Sequence, residues 1–298
     1  MKHSWLSASA IVLLALVANA GKGESGQLTY SRGQNVVAAF DGWERHADGT
    51  FGMVFSYYNR NYEEIIDVPV GPENNVEPGG PDQGQPTHFL AGRHKFVFSV
   101  TVPKDFDRKK RLVWTLIVRG KPEKANAFLL PEWEIKNQVR AQNGDSSQSG
   151  AGGNAAEYNE SPEIVPGPAQ TIAVSAAATL TASVTDDGLP KPRARRPLPA
   201  AAGRGAAALG ASAAAPGDGA VATPQTAGGP QLRVNWIMYR GPAGATVTFA
   251  PEKSIVTDGK TATKATFSMP GKYVVRGYAD DGAVTAPADI AVTVSPAK

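Results

Sequence analysis

A two-residue alternation of apolar and polar positions is the feature that most limits how this sequence folds. Every second residue is large and apolar from Phe51 to Tyr57, from Phe96 to Val102 and from Leu112 to Val118. Because successive side chains of a strand point to opposite faces of its sheet, this spacing predicts half-buried β-strands. No stretch has a long helical period. The sequence therefore predicts an all-β fold of antiparallel β-sandwiches.

Aromatic residues are concentrated in the first half of the chain. Fifteen of the 23 Phe, Trp and Tyr residues lie between Tyr30 and Trp133, so this part has the material for a core. We predict a first β-sandwich domain over residues 27–138. Its outer strands are predicted at Asn35 to Phe40 and, as the last strand, at Ala127 to Ile135.

Low-complexity sequence separates this region from a second set of alternating runs. Residues 139–160 turn to Gly, Ser, Asn and Ala, which is typical of a linker. Residues 188–230 are rich in Ala, Gly and Pro and have too few large apolar residues to offset the entropy of ordering, so we predict a disordered insertion. A second β-sandwich domain is predicted over 161–298, with strands around Leu180–Val184, Leu232–Met238, Thr263–Phe267, Tyr273–Ala279 and Ile290–Val294.

One run in the last third carries a family resemblance. Pro270 to Gly282 (PGKYVVRGYADDG) resembles the P-G-x-Y-x-V…D-x-G strand of PKD and PKD-like immunoglobulin-type domains. The resemblance implies that Trp236 is the core tryptophan and that Tyr273 forms a tyrosine corner. Trp236 leads into Ile237 rather than into the acidic, Gly-rich turn usual in PKD domains, which favours a divergent relative. The resemblance implies spacing, adhesion or matrix binding outside the cell, and no catalysis.

The N-terminus has the pattern of an export signal. A basic start precedes an apolar run from Leu6 to Val17, and Ala18-Asn19-Ala20 is typical of a cleavage site. We expect a signal peptide at 1–20, a secreted or periplasmic mature chain, and no stable membrane span after cleavage. The run from Asp48 to Phe51, with His88-Phe89, also resembles uncharacterised exported bacterial proteins with tandem sandwiches, a resemblance that implies no activity.

The segment from Gly71 to His88 is a long polar loop between two strand-forming regions. Loops beyond about 12–15 residues are usually functional or disordered. Its polar side chains suit hydrogen bonding to a sugar, so the loop is a candidate carbohydrate-binding site. The alternative is a loop that covers a sheet edge and blocks aggregation. The candidate ligand-binding residues are Asn74, Asn75, Asp82, Gln83, Gln85 and His88.

Two Asp-Asp-Gly turns are candidates for a calcium site. Asp186 and Asp187 follow one predicted strand, and Asp280 and Asp281 follow another that is predicted to lie near it. Ca²⁺ takes several oxygen ligands, so four converging carboxylates suit it. The alternative is that Asp-Gly simply favours tight turns. No other cofactor is expected.

The remaining composition excludes several functions. The chain has no cysteine, so it has neither a disulfide nor a thiolate site, and no GxSxG, HExxH or P-loop motif occurs. The net charge of +3 equals that of residues 187–230, the insertion with the preceding Asp187, so the rest of the chain is balanced, which argues against a nucleic-acid surface. We therefore expect an exported, non-catalytic protein that binds, adheres or spaces at the cell envelope, with a polysaccharide or protein partner. The alternatives are a carbohydrate-binding module that uses the loop and an extracytoplasmic hydrolase.

Overall fold

The computed structural model describes residues 30–143, 159–189 and 231–297, which are almost entirely β-structure. The predicted all-β fold is confirmed. The predicted signal peptide, most of the predicted linker and residues 190–230 of the predicted insertion lie outside the described residues. Within the described ranges, no helix is long and apolar enough to cross a membrane.

The first sandwich is formed by two main antiparallel sheets and a short strand pair. The sheets have the strand orders β1-β2-β6 and β4-β7-β8, and β3 pairs with β5. The elements are β1 (Val36–Arg45), β2 (Phe51–Asn59), β3 (Ile66–Asp67), β4 (Asn74–Glu77), β5 (His88–Phe89), β6 (Gly92–Val102), β7 (Leu112–Val118), β8 (Lys121–Ala127), a 3₁₀ helix (Pro131–Trp133) and α1 (Asn137–Gln142).

Stacked aromatic rings join the two sheets of the first sandwich. The ring centroids of Phe55 and Phe98 are 5.0 Å apart, and that of Phe98 is 4.9 Å from Trp114 on the facing sheet. Trp114 is fully buried, and its indole N–H donates to the side chain of Asn74 at 2.9 Å. The predicted alternation thus places these large rings in one core.

Strand β2 is buried on both faces, which alternation alone does not predict. All seven residues from Phe51 to Tyr57 are buried, including Val54 and Ser56 on the second face. The chain beyond the last strand crosses this face, where Ile135 packs with Val54 and Phe96. The hydroxyl of Ser56 is satisfied by the carboxylate of Asp41 at 2.8 Å.

The predicted last strand at Ala127 to Ile135 is wrong. The strand in this region, β8, ends at Ala127, and a 3₁₀ helix and α1 follow it. Arg119 and Gly120 have φ of 53° and 70°, the left-handed backbone that a two-residue hairpin turn requires. This turn brings the chain back to pair with β7 at once, so the strand is complete before the sequence from Phe128 onward begins.

The second sandwich packs a four-stranded sheet, β13-β15-β11-β9, against a five-stranded sheet, β10-β17-β16-β12-β14. Only β10 and β17 pair in parallel. Strands β11 and β12, on either side of residues 190–230, contribute to one core. The strands are β9 (Glu163–Pro166), β10 (Gln170–Ala173), β11 (Ala178–Thr185), β12 (Arg233–Arg240), β13 (Val247–Ala250), β14 (Lys253–Ile255), β15 (Lys260–Phe267), β16 (Gly271–Asp280) and β17 (Thr285–Ser295).

The two residues singled out for the core of this sandwich are placed as expected. Trp236 is 1% exposed, and its indole N–H donates to the Ser254 hydroxyl at 2.8 Å. Tyr273 is 2% exposed, and its hydroxyl donates to the Met269 carbonyl oxygen at 2.7 Å. This hydrogen bond, made back along the chain ahead of a central strand, confirms the predicted tyrosine corner.

The Tyr273→Phe substitution tests the tyrosine corner. It removes the hydroxyl that donates to Met269 and leaves the ring in place, so we expect the free energy of unfolding to fall by about 1 kcal/mol in urea titrations. Tyr58→Phe is the matched control, because Tyr58 is 46% exposed and we expect no measurable change. Equal effects of the two variants would contradict a structural role for this hydroxyl.

Candidate functional site

The segment from Gly71 to His88 is not a loop throughout, contrary to the prediction, because β4 (Asn74–Glu77) lies within it and pairs with β7. The segment, still called the loop below, turns two of its predicted ligand-binding side chains inward. Asn74 is fully buried, and its amide nitrogen donates to the carbonyl oxygens of Val68 at 2.9 Å and Pro86 at 2.8 Å. Gln85 is also fully buried and donates to the carbonyl oxygens of Asn74 and Pro81. Both amides hold this segment together, because they donate to backbone carbonyl oxygens in it and beside it.

Two further predicted residues bond within the same loop. The Gln83 amide nitrogen lies within 3.1 Å of three carbonyl oxygens, those of Val76, Pro78 and Gly80. Asn75 is half-buried and donates to the carbonyl oxygen of Pro72 at 3.1 Å. Sugar binding by this loop stays a prediction. The side chains available for sugar binding are those exposed to solvent, notably Asp82.

Asp82 lies at the junction between the two sandwiches. Its carboxylate accepts two hydrogen bonds, at 2.8 and 3.1 Å, from the guanidinium of Arg240 on β12. Arg240 also donates to the Gln85 carbonyl oxygen at 2.8 Å, and the hydroxyl of Tyr239 donates to the Gly84 carbonyl oxygen at 2.6 Å. The tip of the loop is thus the surface on which the end of β12 docks.

His88, the last of the predicted ligand-binding residues, belongs to the same junction. It is buried, and its Nδ1 lies 2.7 Å from Oδ1 of Asp67. The other carboxylate oxygen of Asp67 accepts the backbone N–H of Gly244, in the second sandwich, at 2.8 Å. The structure therefore brings Asp82, Gln85 and His88 together as parts of a docking surface.

Arg276 forms the buried centre of the junction, and sequence reasoning missed it. Its guanidinium is held by both carboxylate oxygens of Asp289, at 2.7 and 2.8 Å, and lies 3.4 Å from the ring centroid of Tyr239. It also donates to the Val97 carbonyl oxygen of the first sandwich. Burial alone would lower the pKa of Arg276, but the Asp289 carboxylate outweighs it and raises that pKa above its ordinary value.

Two clefts lie beside this buried arginine, where the sandwiches meet. The first has a volume of about 360 Å³ and mixed charge, because Glu44 and Asp289 lie there with Arg140 and Arg276. The second has a volume of about 290 Å³ and is lined by Arg93 and Lys95 with no acidic residue. The second cleft is therefore an electropositive space between the two sandwiches.

The predicted calcium residues are brought together only in part. Asp281 is 4% exposed and accepts the backbone N–H groups of Ala283 and Val284. Its other oxygen accepts from the amide of Asn159, at 2.9 Å. Burial raises the pKa of Asp281 and, with the negative charge of Asp281 nearby, that of Asp186. Asp186 and Asp281 therefore lie close together, with Asn159 as a neighbour that sequence reasoning missed.

The other two predicted calcium residues are engaged elsewhere. Asp280 accepts the Gly282 backbone N–H and lies 3.8 Å from the guanidinium of Arg233. Asp187 accepts the backbone N–H groups of Glu160 and Leu189. Among the described residues, no three histidine or acidic side chains converge closely enough to hold a metal ion. Calcium binding stays a prediction.

Comparison with known proteins bears on the fold alone. No protein-family model and no curated protein matches the chain. Solved structures that match include a titin M10–obscurin-like 1 immunoglobulin complex, which is 18% identical, covers 47% of this chain and 98% of that chain, and has a TM-score of 0.23. The D00-D0 domain of intimin is 10% identical over 87% of this chain and 100% of that chain, with a TM-score of 0.24. Domains 4 and 5 of the S-layer protein SbsC are 9% identical over 88% of this chain and 98% of that chain, also with a TM-score of 0.24. TM-scores this low carry no functional argument.

The sheet topology by itself shows β-sandwiches. The finer PKD-like resemblance stays a prediction.

The pH dependence of unfolding tests the Asp82–Arg240 contact. The hydrogen bond from Arg240 lowers the pKa of Asp82 below its ordinary value of 3.8. The contact is present in full above that value and is lost as pH falls through the lowered pKa. We expect Asp82→Asn to reduce the free energy of unfolding by about 0.2–1 kcal/mol at neutral pH, since the Asp82 side chain is more than half exposed, and this difference to be smaller at pH 2 than at neutral pH.

Asp105→Asn, on an exposed turn, is the matched control for this measurement. It should change the unfolding free energy little at either pH. A difference between Asp82→Asn and the unsubstituted protein that is the same at both pH values would contradict the assigned contact.

Proposed function

We propose that this chain is an exported, non-catalytic β-sandwich protein that binds, adheres or spaces at the cell envelope, in the periplasm or the medium. The export pattern at residues 1–20 supports the location. The lack of GxSxG and HExxH motifs supports a non-catalytic role. The partner we propose is an envelope polysaccharide or another envelope protein.

The junction between the sandwiches is the observation that carries this proposal. Domains in one chain usually move relative to each other unless their interface is extensive. Here a bidentate Asp82–Arg240 pair lies at the rim of the junction and the buried guanidinium of Arg276 at its centre. A fixed angle between two sandwiches is what a spacer or adhesion module needs, because it sets the distance between whatever its two ends contact.

The inward-facing amides of the loop favour this role over sugar binding by the loop itself. Asn74, Gln83 and Gln85 each bond to loop carbonyl oxygens, and Asp82 bonds to Arg240. A long polar loop of this kind is explained by docking, with no need of a ligand.

Small-angle X-ray scattering of the mature chain, its N-terminus at Gly21 verified by mass spectrometry, tests the fixed junction. We expect a radius of gyration that does not change with salt, because the central contact is buried. The double variant Arg240→Gln and Arg276→Gln removes both cationic contacts and should give a larger radius and a broader distance distribution. Lys124→Gln, on an exposed part of β8, is the control and should scatter like the unsubstituted chain.

Scattering of the unsubstituted chain that already fits two independently moving sandwiches would contradict the proposal. So would a double variant that folds normally but scatters like the control.

Calcium binding at the second sandwich is a second candidate function, favoured by two buried oxygens. Asn159 is 2% exposed, and its side-chain oxygen has no hydrogen-bond partner among the residues that the structure describes. One carboxylate oxygen of Asp186 is likewise buried without a partner. Such oxygens are costly to bury and are the ligands that Ca²⁺ prefers. With Asp281 they form an oxygen-rich group that a cation would satisfy.

Thermal unfolding with and without Ca²⁺ tests this candidate. A ligand at about 100 times its dissociation constant adds about 2.7 kcal/mol, so we expect Ca²⁺ to raise the melting temperature by several degrees. Asp281→Asn should abolish the rise, whereas Asp258→Asn, on an exposed turn, should retain it. An unchanged melting temperature in the unsubstituted protein would leave the Asp-Asp-Gly segments as tight turns without a metal.

A further inference from the structure

The electropositive cleft is formed by residues from both sandwiches. The first sandwich contributes the start of β6, with Arg93, His94 and Lys95, and the second contributes the ends of β12 and β16, with Ile237 and Tyr278. Its volume of about 290 Å³ lies just below the usual range of small-molecule sites, about 300–1,000 Å³, and such sites are frequent between domains. The space suits a single small ring better than an extended chain.

The charge of the cleft selects for an anion. Arg93 is exposed and makes no ion pair with any residue in the described ranges, and Lys95 donates only to the carbonyl oxygen of Asn143. The carboxylate of Asp41 interacts with both cations, because the charges of Arg93 and Lys95 act to lower its pKa, and it also accepts hydrogen bonds from Ser56 and the Phe96 N–H. Two cations against this one carboxylate leave a net positive charge that attracts an anion from solution.

The other residues that line the cleft suit a ligand with a ring and polar substituents. Tyr278 and Tyr57 contribute aromatic rings, and Leu90 and Ile237 contribute apolar surface. The imidazole of His94 stacks on Tyr57, with ring centroids 4.8 Å apart, and burial lowers its pKa, so His94 offers a neutral hydrogen-bonding edge at pH 7. Aromatic and aliphatic walls with a few polar groups bind an apolar ring face and orient its substituents.

We infer that this cleft binds a small acidic sugar, a hexuronate, with its carboxylate at Arg93 and Lys95 and its ring between Leu90 and Tyr278. A carboxylate matches the guanidinium, which forms paired hydrogen bonds to it. The pyranose ring matches the mixed apolar and polar walls. The inference deepens the proposed binding role, because it names the class of ligand and places its site between the sandwiches rather than on the Gly71 to His88 loop.

Titration calorimetry of the mature chain with galacturonate, galactose and inorganic phosphate tests the inference. We expect galacturonate to bind, to bind more weakly as salt is added, and to bind at least about tenfold more tightly than galactose or phosphate. Arg93→Gln should weaken galacturonate binding by about tenfold or more. Lys124→Gln, which removes an exposed cation of β8 far along the chain from β6, is the control and should bind as the unsubstituted chain does.

Three outcomes would overturn the inference: no binding of galacturonate, equal binding of galactose, or phosphate binding as tight as that of galacturonate, which would mean that only the charge is recognised. An unchanged affinity in a folded Arg93→Gln variant would place the ligand elsewhere. None of these results bears on the scattering test, so failure of the ligand inference is distinguishable from failure of the proposed spacer or adhesion role.

Discussion

The buried guanidinium of Arg276 is the interaction on which the arrangement of the two sandwiches depends. A charge with 7% exposure is costly unless it is fully paired. Asp289 pairs with it on the adjacent strand, the ring of Tyr239 covers it, and its Nη1 donates to the Val97 carbonyl oxygen of the other sandwich. Separating the sandwiches would remove the hydrogen bond to Val97 and expose the Arg276 guanidinium, which is oriented to donate to the first sandwich.

This arrangement explains why the outer face of one sheet of the second sandwich carries so many large residues. Tyr239 and Arg276 point away from the core that contains Met238 and Val275, yet both are buried. In an isolated sandwich these positions would be exposed. The first sandwich covers them, in the same way that Ile135 covers the second face of β2. Burial on both faces of these sheets is thus a consequence of docking.

The sequence predicted the features that depend on neighbouring residues in a strand. Alternation located the main strands, and the Pro-Gly-Lys-Tyr run located the tyrosine corner at Tyr273, because both signals are local. The hairpin turn at Arg119 and Gly120 was also local but was not recognised, and this misplaced the last strand of the first sandwich. The last strand was misplaced because the apolar residues between Ala127 and Ile135 were given more weight than the turn at Arg119 and Gly120.

The candidate site was less predictable, because its contacts join residues far apart in the chain. Asp82 and Arg240 are separated by 158 positions, and Val97 and Arg276 by 179. No periodic pattern encodes such pairs. A run of Asn, Gln and Asp between prolines predicts a polar surface equally well whether its amides bind a ligand or, as for Asn74 and Gln85, the loop's own carbonyl groups. Only the fold separates these cases.

Docking of the two sandwiches and ligand binding in the cleft between them would each favour the other. A ligand that touches Arg93 on one sandwich and Tyr278 on the other binds only when the two are docked, so each contact at Arg240 and Arg276 also increases the affinity of the cleft. By linkage, the ligand must stabilise docking by the same free energy. If the fixed angle is the basis of an adhesion or spacer role, occupancy of the cleft by an acidic sugar would make that angle more rigid where envelope polysaccharide is abundant.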